Sequence, residues 1–312
     1  MRRILVSGAS TWIGGQVVAM LERWVGTEVF GIDELPPRHG FRSPFILLGP
    51  DRAALADHIL ALDPDTVVHL LTVDRAPQLG PDDARDRAIV GNQALFGAAG
   101  RSPTVRRVVV KSDAAVYPLG PRSPSVFTET DATSSKLGRF GRLILDVETA
   151  AAALASRSPD TAVTVLRMGP IFGRTVENPI SRYLRLPVVP TLLGYDPRLH
   201  LLHEGDAVAA VLAAVDGNGG GTFNVAAAGP MYLSRIIRLG RRLPKPLPRR
   251  ALAAAHSALA RAGFPLPAHI ALMLEHGAVL DTRAMQRRLG FTPEYSVRDA
   301  VLAGYAGRVA DD

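Results

Sequence analysis

The chain has 312 residues, 47% of them hydrophobic and 21% charged, which supports a packed core and excludes a disordered polypeptide. Its length suits one large α/β domain with a smaller second one. Cysteine is absent, so disulfide frameworks and Cys-based zinc or redox sites are excluded. The formal net charge of +7 is carried by Arg, with Lys only at 111, 136 and 245. Together with abundant Ala, this reads as the coding bias of a GC-rich genome. The densest basic cluster is Arg235, Arg238, Arg241, Arg242, Lys245, Arg249 and Arg250. No aromatic residues interleave there, so nucleic acid is not the expected partner.

In chain order, residues 3–6 predict a first strand, a Gly-rich turn comes next, and 13–24 has helical apolar spacing. Strands are predicted at 28–32 and 45–48, a helix at 52–62, and a strand buried on both faces at 66–71. An Ala-rich helix at 84–99, a strand at 107–111, a helix at 139–155 and a strand at 162–167 complete the alternation. The expected architecture is α/β, a Rossmann-type doubly wound parallel sheet. Residues 1–168 form the main part of the dinucleotide-binding domain. Residues 169–312 supply a smaller, mostly helical substrate region, with part of 200–230 returning to the sheet domain. Helices are expected there at 205–215, 233–242, 249–262 and 268–274. The longest wholly apolar stretch, 207–215, is far short of the ~20 residues a spanning helix needs. The apolar start ends at Ser7-Gly8 without a cleavage site, and a cytoplasmic location is expected.

Between the first strand and helix lies Ser7-Gly8-Ala9-Ser10-Thr11-Trp12-Ile13-Gly14-Gly15. In that position backbone N–H groups and the positive helix end can hold a diphosphate. Asp33, at the end of the second strand and 19 residues beyond Gly14, is placed to bond adenosine ribose hydroxyls. Its charge favours NAD over NADP, with Arg38 and Arg42 nearby to soften that preference. The candidate cofactor residues are Gly8, Ser10, Thr11, Trp12, Ile13, Gly14 and Asp33, joined by Leu70 and Leu71 after the fourth strand.

The loop resembles the Gly-x-x-Gly-x-x-Gly of the extended short-chain dehydrogenase/reductases, the NAD-dependent epimerase/dehydratase family, with Thr11 in place of the middle Gly. The resemblance continues through Val67-Val68-His69-Leu70, Ala114-Ala115-Val116-Tyr117, Phe127-Thr128-Glu129, Leu166-Arg167, Ile171-Phe172-Gly173, His203-Glu204-Gly205-Asp206, Phe223-Asn224-Val225 and Leu289-Gly290-Phe291. It implies a bound NAD and a small-molecule substrate. It also implies a homodimer paired through helices 84–99 and 139–155.

The departures fall on the chemistry. Asp113 stands where the family has a Ser or Thr, Phe140 where it has the catalytic Tyr, and Ile144 where it has the Lys that lowers the phenol's pKa. No other Tyr is followed four residues later by Lys, so hydride transfer assisted by that pair is not expected. Asp113 and Tyr117 become the candidate catalytic residues, and Arg142, Arg167 and His200 the candidate substrate contacts. Asp113 also admits a purely local role, bonding backbone at a strand end. His69 reads as a satisfied core histidine, and no group of residues has metal-ligand spacing. Two functions fit. One is an epimerase/dehydratase-like enzyme with non-standard residues, acting on a small apolar or sugar-like substrate by isomerisation, dehydration, cyclisation or redox. The other is a catalytically silent nucleotide-binding module, including a form whose basic C-terminal half rests on a membrane.

Overall fold

A computed structural model describes residues 1–37, 40–48, 52–70, 81–132, 137–217 and 219–306, with the backbone alone at 81–84. The first half alternates β1 (Arg2–Ser7), α1 (Trp12–Leu21), β2 (Thr27–Asp33), β3 (Phe45–Leu47), α2 (Leu55–Leu62), β4 (Thr66–His69), α3 (Pro81–Arg101), β5 (Arg107–Asp113), α4 (Arg139–Arg157) and β6 (Ala162–Met168). The second half carries β7 (Ile171–Phe172), α5 (Pro179–Leu184), β8 (Val188–Leu192), β9 (Arg198–Leu199), β10 (Leu202–His203), α6 (Glu204–Asp216), β11 (Gly221–Val225), β12 (Met231–Tyr232), α7 (Leu233–Leu239), β13 (Leu243–Leu247), α8 (Arg249–Arg261), α9 (Ala268–His276) and α10 (Val297–Ala306).

Seven parallel strands form one sheet in the order β11-β6-β5-β4-β1-β2-β3. The order reverses between β1 and β4, and such a switch point opens a crevice beyond the carboxyl ends of the strands. Continuous apolar runs explain why these strands are central. Ile4, Leu5 and Val6, Val67 and Val68, and Val108 to Val110 are all fully buried because helices cover both faces. On one face α1 and α6 pack through Val17, Val18, Leu21, Ala210 and Val211. On the other, α2, α3 and α4 pack through Leu55, Ile59, Leu95, Phe96, Val147 and Leu154. A separate apolar cluster unites α5, α7, α9 and α10.

The sheet has a seventh strand, β11, beyond the six-strand alternation expected from the first half. The helix expected at 233–242 stops at Leu239, and Arg241 takes a left-handed φ of 51°. Beyond that turn the chain extends into β13, paired in parallel with β8. Pro244 and Pro246 hide this strand from sequence reading, since proline rarely enters a ladder. The amide of Leu243 faces the partner strand, donating to the Pro187 carbonyl at 3.0 Å. The prolines alternate with it and lose their N–H on the outer edge, where no ladder bond is forfeited. The strand expected at 66–71 ends at His69.

Candidate active site

The turn after β1 is built by two glycines. Gly8 has φ 81°, and a Cβ on Gly14 would lie 2.0 Å from the Gly8 carbonyl oxygen. No L side chain fits either requirement without strain. Thr11 caps α1: its hydroxyl donates to the Gly8 carbonyl at 2.6 Å and accepts from the Gly14 amide at 2.9 Å. Ser10 is equally committed, its amide to Asp33 at 2.8 Å and its hydroxyl to the Leu35 carbonyl at 2.5 Å. The Gly8 amide donates to Ile32. The first two helical residues, Trp12 and Ile13, have no intrahelical acceptor for their amides. Of the expected loop residues, Trp12 and Ile13 therefore present donors, whereas Ser10, Thr11 and the glycines shape the turn.

Asp33 is fully buried at the end of β2. Its oxygens accept the amides of Ser10, Glu34 and Leu35 at 2.8, 2.7 and 3.4 Å. The acid that sequence spacing assigns to ribose is a clamp joining the turn after β1 to the segment after β2. Leu70, buried beside the turn, donates its amide to the Ser7 carbonyl. Leu71, Arg38 and Lys136 lie outside the described residues. His69 is the core histidine its position suggests, with Nδ1 against the Ser7 hydroxyl at 2.6 Å and Nε2 against Asn92 at 2.5 Å.

Across the mouth of the crevice, the Trp12 indole N–H donates to the Thr175 hydroxyl at 2.8 Å, and that hydroxyl donates to Glu204 at 2.7 Å. Glu204, the first residue of α6, also accepts the amides of Arg174 and Thr175. The turn after β1 is thereby tied to the loop after β7.

At the end of β5, Asp113 caps a short 3-10 turn at 114–116, one carboxylate oxygen accepting the Ala115 amide at 2.8 Å. Asp113 is half-buried, and its second oxygen has no hydrogen bond among the described residues. The first turn of α4 abuts this segment, since a Cβ on Gly141 would meet the Ala115 carbonyl at 2.4 Å. Phe140, just before it, is half-buried. Ile144 is 2% exposed, packed among Ala114, Val116, Phe127 and Leu280.

Four sequence expectations change here. The Tyr117 hydroxyl is sealed from the crevice, donating to Asn224 at 2.5 Å and accepting from Arg167 at 3.1 Å, and burial pushes its pKa up to about 12. That is the environment of a scaffold group, not of a proton donor. Arg167 does not line the crevice either. Its guanidinium grips buried Glu148 through Nε at 3.0 and 3.1 Å and Nη2 at 2.7 Å, and donates to the Glu129 carbonyl at 2.6 Å. Ser112 completes this network by donating to Glu148. His200 is held by backbone on both sides: Nε2–H donates to the Ala227 carbonyl at 2.5 Å and Nδ1 accepts the Leu280 amide at 3.1 Å. Burial lowers its pKa and fixes the neutral ring. Arg142 is exposed and bonds the Leu137 carbonyl at 2.9 Å, bracing the start of α4.

One group that sequence reading passed over joins the site. His269, in the first turn of α9, stacks on Phe140 with ring centroids 4.3 Å apart and planes 18° apart. In sequence it is a lone histidine 129 positions from its ring partner, and no local pattern marks it. Farther out, an open cavity of about 810 Å³ separates the segment 120–125 from the end of α9, lined by Tyr195, Arg198, Tyr232, Arg249 and His276 among others.

A family model for the NAD dependent epimerase/dehydratase family matches residues 4–226. An uncharacterized protein of Mycobacterium tuberculosis, Rv0501, is 35% identical over 315 residues, covering 98% of this chain and 84% of its own length. A 3-diazoavenalumate denitrifying reductase of Streptomyces is 30% identical over 275 residues, covering 79% and 84%. Among solved structures, the UDP-glucose 4-epimerase of Thermotoga maritima with UDP-glucose superposes with a TM-score of 0.73 at 18% identity, covering 98% of each chain. MoeE5 in complex with UDP-glucuronic acid and NAD gives 0.71 at 20%, again covering 98% of each.

Proposed function

The chain belongs to the NAD-dependent epimerase/dehydratase family, and on that premise we propose that it is a dinucleotide-dependent enzyme that has dispensed with the phenol–ammonium relay. It acts on a small organic substrate through the carboxylate of Asp113. The observation that carries this reading is the combination at one place of Phe140, Ile144 and a half-buried Asp113 with an uncommitted oxygen. Phe140 has no proton to exchange and Ile144 no charge to lend, yet the pocket keeps a polar group where a substrate hydroxyl would sit.

The residues fit the adenosine and diphosphate half of the cofactor. Trp12 and Ile13 amides, at the positive end of α1, would bind the diphosphate where the tight turn built on Gly8 and Gly14 brings them. The charge of Asp33 favours NAD over NADP. NAD, when bound, supplies hydride acceptor or donor chemistry. Ile144 cannot hold the nicotinamide ribose as a lysine would, so that end of the cofactor is held by shape. The UDP-sugars bound to MoeE5 and to the Thermotoga epimerase, and the diazo acid in the name of the Streptomyces reductase, are the reason for choosing UDP-sugars and aromatic acids as candidate substrates. The open cavity, lined by Arg198 and Arg249 together with Asp196 and Glu275, offers polar lining of both signs for a polar substrate tail. The outer faces of α3 and α4, where Val90 is 50% exposed, form the seam of a homodimer.

The test is calorimetric titration with NADH followed by incubation with NAD and a panel of UDP-sugars and aromatic acids, products being read by mass spectrometry. We expect NADH to bind, and Asp113→Ala to abolish conversion while leaving NADH affinity within a few-fold. Full conversion by that variant, or no dinucleotide binding by the wild type, would sink the reading. Binding without any turnover, accompanied by nucleotide-dependent capture of a partner, would favour the silent module that the loss of Tyr and Lys also suits.

A further inference from the structure

Three side chains distant in sequence converge over the start of α4. Asp113 ends β5, Phe140 opens α4, and His269 arrives from α9 to lie flat on Phe140 at 4.3 Å. Gly141 lets α4 press against the turn that Asp113 caps, so the ring pair and the carboxylate share one corner. The histidines of the scaffold make a useful contrast. His69 and His200 each have both ring nitrogens bonded within the chain, whereas His269 has neither nitrogen bonded among the described residues and is half-buried. A half-buried imidazole with idle nitrogens, beside a carboxylate with an idle oxygen, is poor scaffolding and good proton-transfer equipment.

We propose that His269 is the proton-transfer residue of this site, with Asp113 as its charge partner, so that α9 delivers across the crevice the acid–base group that α4 has lost. The proposal rests on the reading of this pocket as catalytic. In that role one proton leaves a hydroxyl of the bound substrate for the unprotonated ring nitrogen. The O–H bond breaks, an N–H bond forms, and the oxygen's electron pair stays with the substrate to drive its rearrangement. The imidazolium that results is balanced by the Asp113 carboxylate, and return of the proton restores the neutral ring. Burial lowers the proton affinity of His269 and the charge of Asp113 opposes that shift. The positive end of α9 acts in the same direction as burial. The ring therefore starts neutral near pH 7. Asp113 is the charged group among the described residues whose field reaches it.

Two readouts on the full chain test this without knowledge of the substrate. The first is the histidine NMR titration of wild type and Asp113→Asn, with the His269 signal assigned by His269→Gln. Asparagine can still accept the Ala115 amide, so the turn survives, and the His269 pKa should fall by about half a unit or more when the charge goes. The second is carbethoxylation by diethyl pyrocarbonate, with peptide mass spectrometry in the presence and absence of NADH. His269 should react about tenfold faster than the bonded His69 and His200, and saturating NADH should slow it several-fold. An unmoved pKa, or a His269 as inert as the core histidines, overturns the proposal. So does reactivity that bound NADH leaves unchanged. Failure of NADH to bind in the parallel calorimetry strikes instead at the functional reading itself, which keeps the two outcomes apart.

Discussion

A single methyl group tests the phosphate turn. On Gly14 it would sit 2.0 Å from the Gly8 oxygen and 2.8 Å from the Thr11 hydroxyl, so either the turn opens or the cap breaks. Gly14→Ala should cost about 1–3 kcal/mol by overpacking, and weaken NADH by more than tenfold because the Trp12 and Ile13 amides are re-aimed. Urea denaturation and calorimetry read the two effects separately. Tyr117 makes the opposite case, a residue in the right neighbourhood with the wrong environment. Tyr117→Phe removes the donor to Asn224 and leaves its buried amide oxygen short of a partner, at a cost of about 1–3 kcal/mol. No change in turnover should accompany it. The raised phenol pKa sets the pH dependence. An unfolded Tyr ionises near pH 10, while the native one holds its proton to about 12. Its contribution is therefore intact below pH 10 and lost as pH climbs towards 12. In denaturation series between pH 7 and 11, the wild type should lose stability that Tyr117→Phe has already given up, so the two curves converge at the alkaline end.

At the scale of elements, α4 shows why restoring a motif differs from restoring a site. Phe140 is half-buried against the His269 ring, so Phe140→Tyr adds a hydroxyl near solvent and should be nearly neutral in stability. Ile144 lies in an apolar nest with Phe127, Val116 and Leu280. An ammonium there has lost its hydration, and the buried carboxylate one turn on, Glu148, is already committed to Arg167 and Ser112, so Ile144→Lys should cost several kcal/mol, on the order of a buried unpaired charge. Guanidinium unfolding of the two single variants and the double checks this. If Phe140→Tyr/Ile144→Lys is as stable as wild type, the nest around residue 144 admits water or a counter-charge. This helix was legible in sequence because its apolar residues recur at helical spacing and its family landmarks are local. The doubly wound sheet was legible for the same reason, strand by strand. Other features were not. The Pro-bearing β13 looks like a linker, because an edge strand tolerates prolines that a central one rejects. The stacking of α9 on α4 depends on how the C-terminal region folds back, and no spacing in the chain encodes it. Arg167, His200 and Tyr117 were misplaced because position along a strand says which end of the sheet a residue reaches, not whether its side chain meets the crevice or a buried partner such as Glu148.

For the whole molecule, the crevice lies between the carboxyl ends of the sheet and the C-terminal region, and the two halves are already tied together. Trp12, Thr175 and Glu204 bridge the mouth, and a shared apolar cluster joins Val116, Ile144, Ala226 and Leu280 behind it. A dinucleotide seated there contacts only the native state, because its amide donors come from one helix end that exists only when the turn is folded. Its binding must then raise the unfolding temperature by mass action. At 100 times the dissociation constant the gain is about 2.7 kcal/mol. With an unfolding entropy of about 2.1 cal/mol/K per residue, a chain of 312 residues should gain about 4 °C. NADH is expected to produce this shift in a thermal scan, and NADPH at the same concentration less than half of it. The reason is that the 2′-phosphate would come up against the Asp33 carboxylate, whose three backbone bonds prevent it from turning away. An equal shift from both nucleotides would mean that the clamp between the turn and the segment after β2 is all that Asp33 contributes, and that the ribose is read by other groups.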